Sequence, residues 1–75
     1  MATEANEIMS ENIKFYLNKN GKTPANLISD LNIKRSTVYN WLNGVSYPRI
    51  DKIEAMADYF GVTKADLVER HVDGK

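Results

Sequence analysis

Cysteine is absent from this 75-residue chain, which excludes a disulfide framework, a thiolate zinc site and a cysteine nucleophile. A small fold without such staples depends on packing alone, and a reducing compartment suits it. Histidine occurs once, His71, with no second imidazole or thiol to share a metal, so neither a metal nor any other cofactor is expected. A Ser-His-Asp arrangement is not expected either, because no strained nucleophile turn and no glycine-rich oxyanion loop accompanies His71. The chain therefore reads as a non-enzyme without a small-molecule substrate. No apolar run approaches the roughly 18 residues of a membrane span, and the opening MATEANEI lacks the basic start and apolar stretch of a secretory signal. These absences point to a soluble cytoplasmic chain with no membrane partner. Its length leaves room for one domain, 1–75, with flexible tails expected at 1–6 and 72–75.

Net charge is lacking as well: ten Lys and Arg balance ten Asp and Glu. The distribution is uneven, however. From Lys14 through Arg49 there are six bases (Lys14, Lys19, Lys22, Lys34, Arg35, Arg49) against one acid, Asp30, while both flanks are acidic. A polyanion feels the local field within about a Debye length, so this basic middle is a better guide to a phosphate-bearing partner than the total.

Two prolines and four glycines divide the chain into segments of helical length. Met9, Ile13, Tyr16 and Leu17 recur at i, i+4, i+7, i+8, which predicts a helix over 7–20 ended by Gly21. Thr23 before Pro24 has the form of an N-cap followed by proline at the first helical position, opening a helix over 24–31 that buries Leu27, Ile28 and Leu31. Asn32, tolerant of left-handed backbone angles, ends it. Over about 35–43, Val38, Trp41 and Leu42 share one face, with Gly44 as terminator. Pro48 opens a fourth helix whose stripe is Ile50, Ile53, Met56, Ala57 and Phe60, closed by Gly61. Thr63 and Asp66 form a variant capping box for a short fifth helix carrying Leu67 and Val68. The fold expected is all-α, with five helices.

Helices two and three, joined by a tight turn, match the geometry of a DNA-reading helix-turn-helix. Outside the apolar stripe the third helix carries Arg35, Ser36, Tyr39 and Asn40, with Thr37 at the border and no carboxylate. Arginine pairs with guanine O6 and N7, and asparagine with adenine N6 and N7. A merely solvated face more often carries Glu and Lys pairs. Trp41 has the ring for stacking single-stranded bases, but its place between Val38 and Leu42 favours core filling.

The run TPANLISDLNIKRSTVYNWLNGVSYPRIDKIEAMADYFGVTKADLV, residues 23–68, resembles the helix-turn-helix domain of the phage repressor family, the Cro/CI-like or XRE-type regulators. IKRSTVYNWLNG followed by a proline four residues on is its most specific piece. The resemblance implies a five-helix lambda-repressor-like domain that binds double-stranded operator DNA as a homodimer and represses transcription in a bacterial host. It places Arg35, Ser36 and Asn40 at base-reading positions and Asn43 at a phosphate contact. Thr37 and Tyr39 join the candidate base readers, and Lys22, Thr23, Lys34, Ser46, Tyr47 and Arg49 the candidate phosphate contacts. Leu67, Val68 and Val72 are candidates for a patch joining two copies.

Three departures stand out. Pro24 replaces the glutamine the family often has after its helix-opening threonine, which leaves Lys22, the Thr23 hydroxyl and the helix N-terminus to meet phosphate. Asn32 stands where glycine is common. Lys34 occupies the cap position of helix three and forfeits a capping bond worth about 1 kcal/mol. Phe15 and Ile8 lie off the first helix's stripe, which keeps open a protein-binding module on the same fold, just as an antitoxin of a toxin pair, or a repressor with a further domain or protein partner, stays open.

Overall fold

The computed structural model of the chain describes residues 3–69. It has the expected all-α architecture: α1 Glu4–Lys19, α2 Pro24–Leu31, α3 Arg35–Leu42, α4 Ile50–Phe60 and α5 Lys64–Val68. Helix α1 starts earlier than its apolar stripe predicts, because the Thr3 hydroxyl accepts the Asn6 N–H at 3.1 Å and so supplies the cap. Residues 4–6, expected in a tail, are thus helical. Glu4 and Glu7 in the first turn and Lys19 in the last complement the helix dipole.

Thr23 caps α2 with Pro24 behind it, and Thr63 and Asp66 close the predicted capping box of α5. Helix α2 ends as α3 does, in a left-handed residue followed by a six-to-one bond: Ile33 N–H to the Ile28 carbonyl at 3.1 Å, and Val45 N–H to the Asn40 carbonyl at 2.8 Å. The left-handed residue is Gly44 (φ 72°) after α3 and Asn32 (φ 54°) after α2. Asparagine is among the few side-chain-bearing residues that reach this region at modest cost, so the turn survives without glycine.

The core gathers Met9, Ile13, Tyr16 and Leu17 of α1, Leu27 of α2, Ile33 of the turn after it, Val38, Trp41 and Leu42 of α3, and Ile53, Met56, Ala57, Phe60 and Leu67. Each fully buried aliphatic or aromatic side chain contributes about 1.5–3 kcal/mol of transfer free energy. Helix α1 packs on both α3 and α5, α2 on α3, and α4 on α5. Tyr16 and Phe60 stack at 5.9 Å between centroids, tying α1 to α4. Trp41 is 3 % exposed, which makes it core filling.

Two apolar assignments need correction. Ile50, placed in the α4 stripe, is 63 % exposed: it is the first residue of the helix, and a helical side chain leans toward the N-terminus, here past the edge of the core. Leu67, placed in a patch between copies, is 0 % exposed, because α5 turns it onto the core of its own chain. Val68 beside it is exposed, and Val72 and His71 lie outside the described residues. Phe15 is exposed and Ile8 half-buried. Among the described residues no helix is long and apolar enough to cross a membrane.

Candidate nucleic-acid interface

Arg35, Ser36, Tyr39 and Asn40 all stand exposed on the face of α3 opposite Val38, Trp41 and Leu42, and Thr37 is half-buried at the border. Helical spacing arranges the exposed four as two neighbouring columns, Arg35 above Tyr39 and Ser36 above Asn40. The Arg35 guanidinium lies 5.9 Å from the centroid of the Tyr39 ring. Lys34 is the N-cap in an extended conformation and makes no side-chain capping bond. The N–H groups of Arg35, Ser36 and Thr37 therefore stay open in a turn flanked by two cationic side chains, a setting that favours an anion.

The other end of α3 is held by α1. The last carbonyls of a helix have no partner within it. Here Asn43, Gly44 and Val45 return their N–H groups to Tyr39, Trp41 and Asn40, while the buried Ser10 hydroxyl donates to the Leu42 carbonyl and Asn6 Nδ2 donates to the Gly44 carbonyl at 3.3 Å. This grip fixes where the chain leaves α3, and with it the loop that carries exposed Asn43, Tyr47 and Arg49 and half-buried Ser46. Asn12, also buried, does the same for α5: its Nδ2 donates to the Leu67 carbonyl at 2.7 Å and the Glu69 carbonyl at 2.8 Å.

Sequence reasoning missed Asn6, Ser10 and Asn12 as anchors. Spacing shows the inward place of two of them, since Ser10 falls three positions before Ile13 and Asn12 three after Met9 and four before Tyr16, but not the carbonyls they bond.

The start of α2 differs from the expectation in detail. Asn26 forms a full capping box with Thr23: its N–H bonds the Thr23 hydroxyl at 3.2 Å, and its Oδ1 accepts both the Thr23 N–H at 2.9 Å and the Thr23 hydroxyl at 3.1 Å. The Thr23 donors are thus committed, Pro24 has none, and Ala25 N–H is the open donor of that first turn. Lys22 projects its ammonium to 5.7 Å from the Tyr59 ring centroid. Tyr59 in turn donates its hydroxyl to Asp30, the one acid of the basic segment. Burial, then the bond to Asp30 and that carboxylate's charge, push the Tyr59 phenol up to about 12. Tyr16 is raised too, by burial and by the charge of Asp66.

What the arrangement presents is an exposed helix of polar and cationic side chains, open N–H groups at its start and a braced loop at its end. No curated protein matches the chain. Among solved structures, the solution structure of the SOS-response transcriptional repressor LexA from Eubacterium rectale superposes with a TM-score of 0.85 at 31 % identity, covering 100 % of this chain and 83 % of that one. The Cro/C1-type HTH DNA-binding domain matches residues 12–73. A match that takes in α2, α3 and the braced loop between α3 and α4 settles the kinship: the chain belongs to the Cro/C1-type helix-turn-helix DNA-binding domains, a DNA-binding family and not an enzyme family.

Proposed function

We propose that the chain is a transcriptional repressor of bacterial or phage type that lays α3 in the major groove of duplex DNA, as a homodimer on a palindromic operator in the cytoplasm. The observation that carries this reading is the outward face of α3, where Arg35, Ser36, Tyr39 and Asn40 are all exposed and none is acidic. Arg35 and Asn40 have the bidentate chemistry for guanine and adenine edges, with Ser36, Tyr39 and the half-buried Thr37 at the margins. Lys34, Asn43, Ser46, Tyr47 and Arg49 flank that face at its two ends, where the phosphate strands of a groove-bound helix pass. Lys22 reaches phosphate by leaving the Tyr59 ring, and Thr23 contributes once its hydroxyl is released from Asn26. The likeness to a repressor over the full length of this chain supports the regulatory role. With Leu67 in the core, exposed Val68, together with Val72, remains for contact between copies.

Selection of bound duplexes from a random pool tests the reading. Enriched sequences are expected to contain inverted half-sites about 10 bp apart, centre to centre. Arg35→Ala should cost about 1–3 kcal/mol of specific binding and relax choice at one base pair. Lys22→Ala should weaken all DNA equally and flatten the salt dependence. An unenriched pool, with no retention on DNA at low salt, would refute the proposal.

A further inference from the structure

The Arg35–Tyr39 column holds more than two separate base readers. A helical side chain covers the turn N-terminal to its own Cα, so the Tyr39 ring lies over the turn that bears Arg35. The guanidinium sits 5.9 Å from the ring centroid, within the range of a cation–π contact. Arg35 has no carboxylate partner among the described residues, where the ion pair present is Lys64–Glu54. Among the described residues no ion pair holds this long side chain. An unrestrained arginine carries close to 2 kcal/mol of rotamer entropy, which any bidentate contact must overcome. The ring removes part of that freedom in advance.

We infer that Tyr39 is a positioning residue for Arg35: it sets base discrimination through the arginine and not by touching a base. The inference rests on the reading of α3 as the groove helix and deepens it. Fluorescence anisotropy with the selected duplex, and with duplexes altered one base pair at a time, tests it in five proteins: wild type, Tyr39→Phe, Tyr39→Ala, Arg35→Ala and Arg35→Ala/Tyr39→Ala. Arg35→Ala identifies the base pair that the arginine reads. Tyr39→Ala should lower discrimination at that same base pair by about twofold to fivefold, the equivalent of an exposed cation–π contact. Tyr39→Phe, which keeps the ring, should stay within about twofold of wild type, and Tyr39→Ala should add nothing in the Arg35→Ala background. Tyr39 is exposed, and unchanged far-UV circular dichroism of the variants confirms the fold. Loss of discrimination at a different base pair, or an equal loss with and without Arg35, would overturn the inference and make Tyr39 a reader in its own right. Absence of DNA binding by the wild type would refute the functional proposal instead.

Discussion

Replacing Asn12 tests the account of how α5 is held. The helix has five residues and owes its place to its capping box, to Leu67 and to the two bonds from the Asn12 amide. In Asn12→Ala the buried Leu67 carbonyl loses its donor, at about 1–3 kcal/mol for an unsatisfied buried acceptor. The Glu69 carbonyl is partly exposed, so water replaces the amide there and only the net bond of about 0.5–1.5 kcal/mol is lost. The total is about 1.5–4.5 kcal/mol, a large share of the roughly 4–11 kcal/mol expected for a domain of this size. A domain in this size class loses about 4–8 °C per kcal/mol, so the melting temperature should fall by on the order of 6–36 °C in a far-UV circular dichroism melt. Asn12→Asp sharpens the test. The shape is kept, but at pH 7 a carboxylate would face two carbonyl oxygens with no proton to give, so this variant should be less stable than Asn12→Ala. That environment raises the introduced group's folded pKa above its unfolded value. The penalty is therefore full at neutral pH and fades as the pH falls through the folded pKa, where the protonated carboxyl donates one bond. Each variant is compared with Asn12→Ala at the same pH, which cancels other acid effects. A melting temperature within about 3 °C of wild type for Asn12→Ala, or an aspartate variant as stable as the alanine one at pH 7, would refute the reasoning.

Ser10→Ala should cost about 1–3 kcal/mol in urea unfolding by orphaning the Leu42 carbonyl, and should weaken binding to all DNA while base preference is retained. Asn32→Ala should lose about 1 kcal/mol because alanine is strained at a left-handed position, whereas Asn32→Gly should stay within about 0.5 kcal/mol of wild type. A larger loss with glycine than with alanine in chemical denaturation would contradict the turn described. The phenol of Tyr59, raised to about 12 by burial and by Asp30, is held protonated in the fold while the unfolded chain ionises near its ordinary value of 10.0. Its contribution is thus complete below pH 10 and is lost as the pH rises toward 12. Tyr59→Phe should show a shallower decline over that interval than wild type, and parallel declines would count against the Tyr59–Asp30 bond.

Local signals carried most of the architecture. Thr23-Pro24, the Thr63 capping box and the glycines after α1, α3 and α4 are short-range devices whose physics is complete within a few residues, and the structure uses them where they stand. Asn26, which completes the box on Thr23, escaped notice because asparagine there reads as ordinary surface until its Oδ1 is seen to turn back. Ile50 misled because periodicity continues to a helix's first residue while the core does not. Leu67 misled for the opposite reason: a helix of five residues has too little period to say which side faces inward. The outward set on α3 was legible because three apolar residues at 38, 41 and 42 define the buried stripe without ambiguity. The anchors Asn6, Ser10 and Asn12 act on carbonyls 38, 32 and 55 or more residues away, and no neighbouring residue announces so distant an acceptor.

The way α1 grips the end of α3 bears on how freely the outer side of α3 can vary. Ser10 and Asn6 seize oxygen atoms of the main chain, which every amino acid supplies alike, so the frame is indifferent to which letters are written on the outer side of the rod. Positions 35, 36, 39 and 40 can be exchanged as a cassette while the scaffold keeps its shape. On the proposed reading of α3, such an exchange would alter the sequence recognised with no compensating change in the interior.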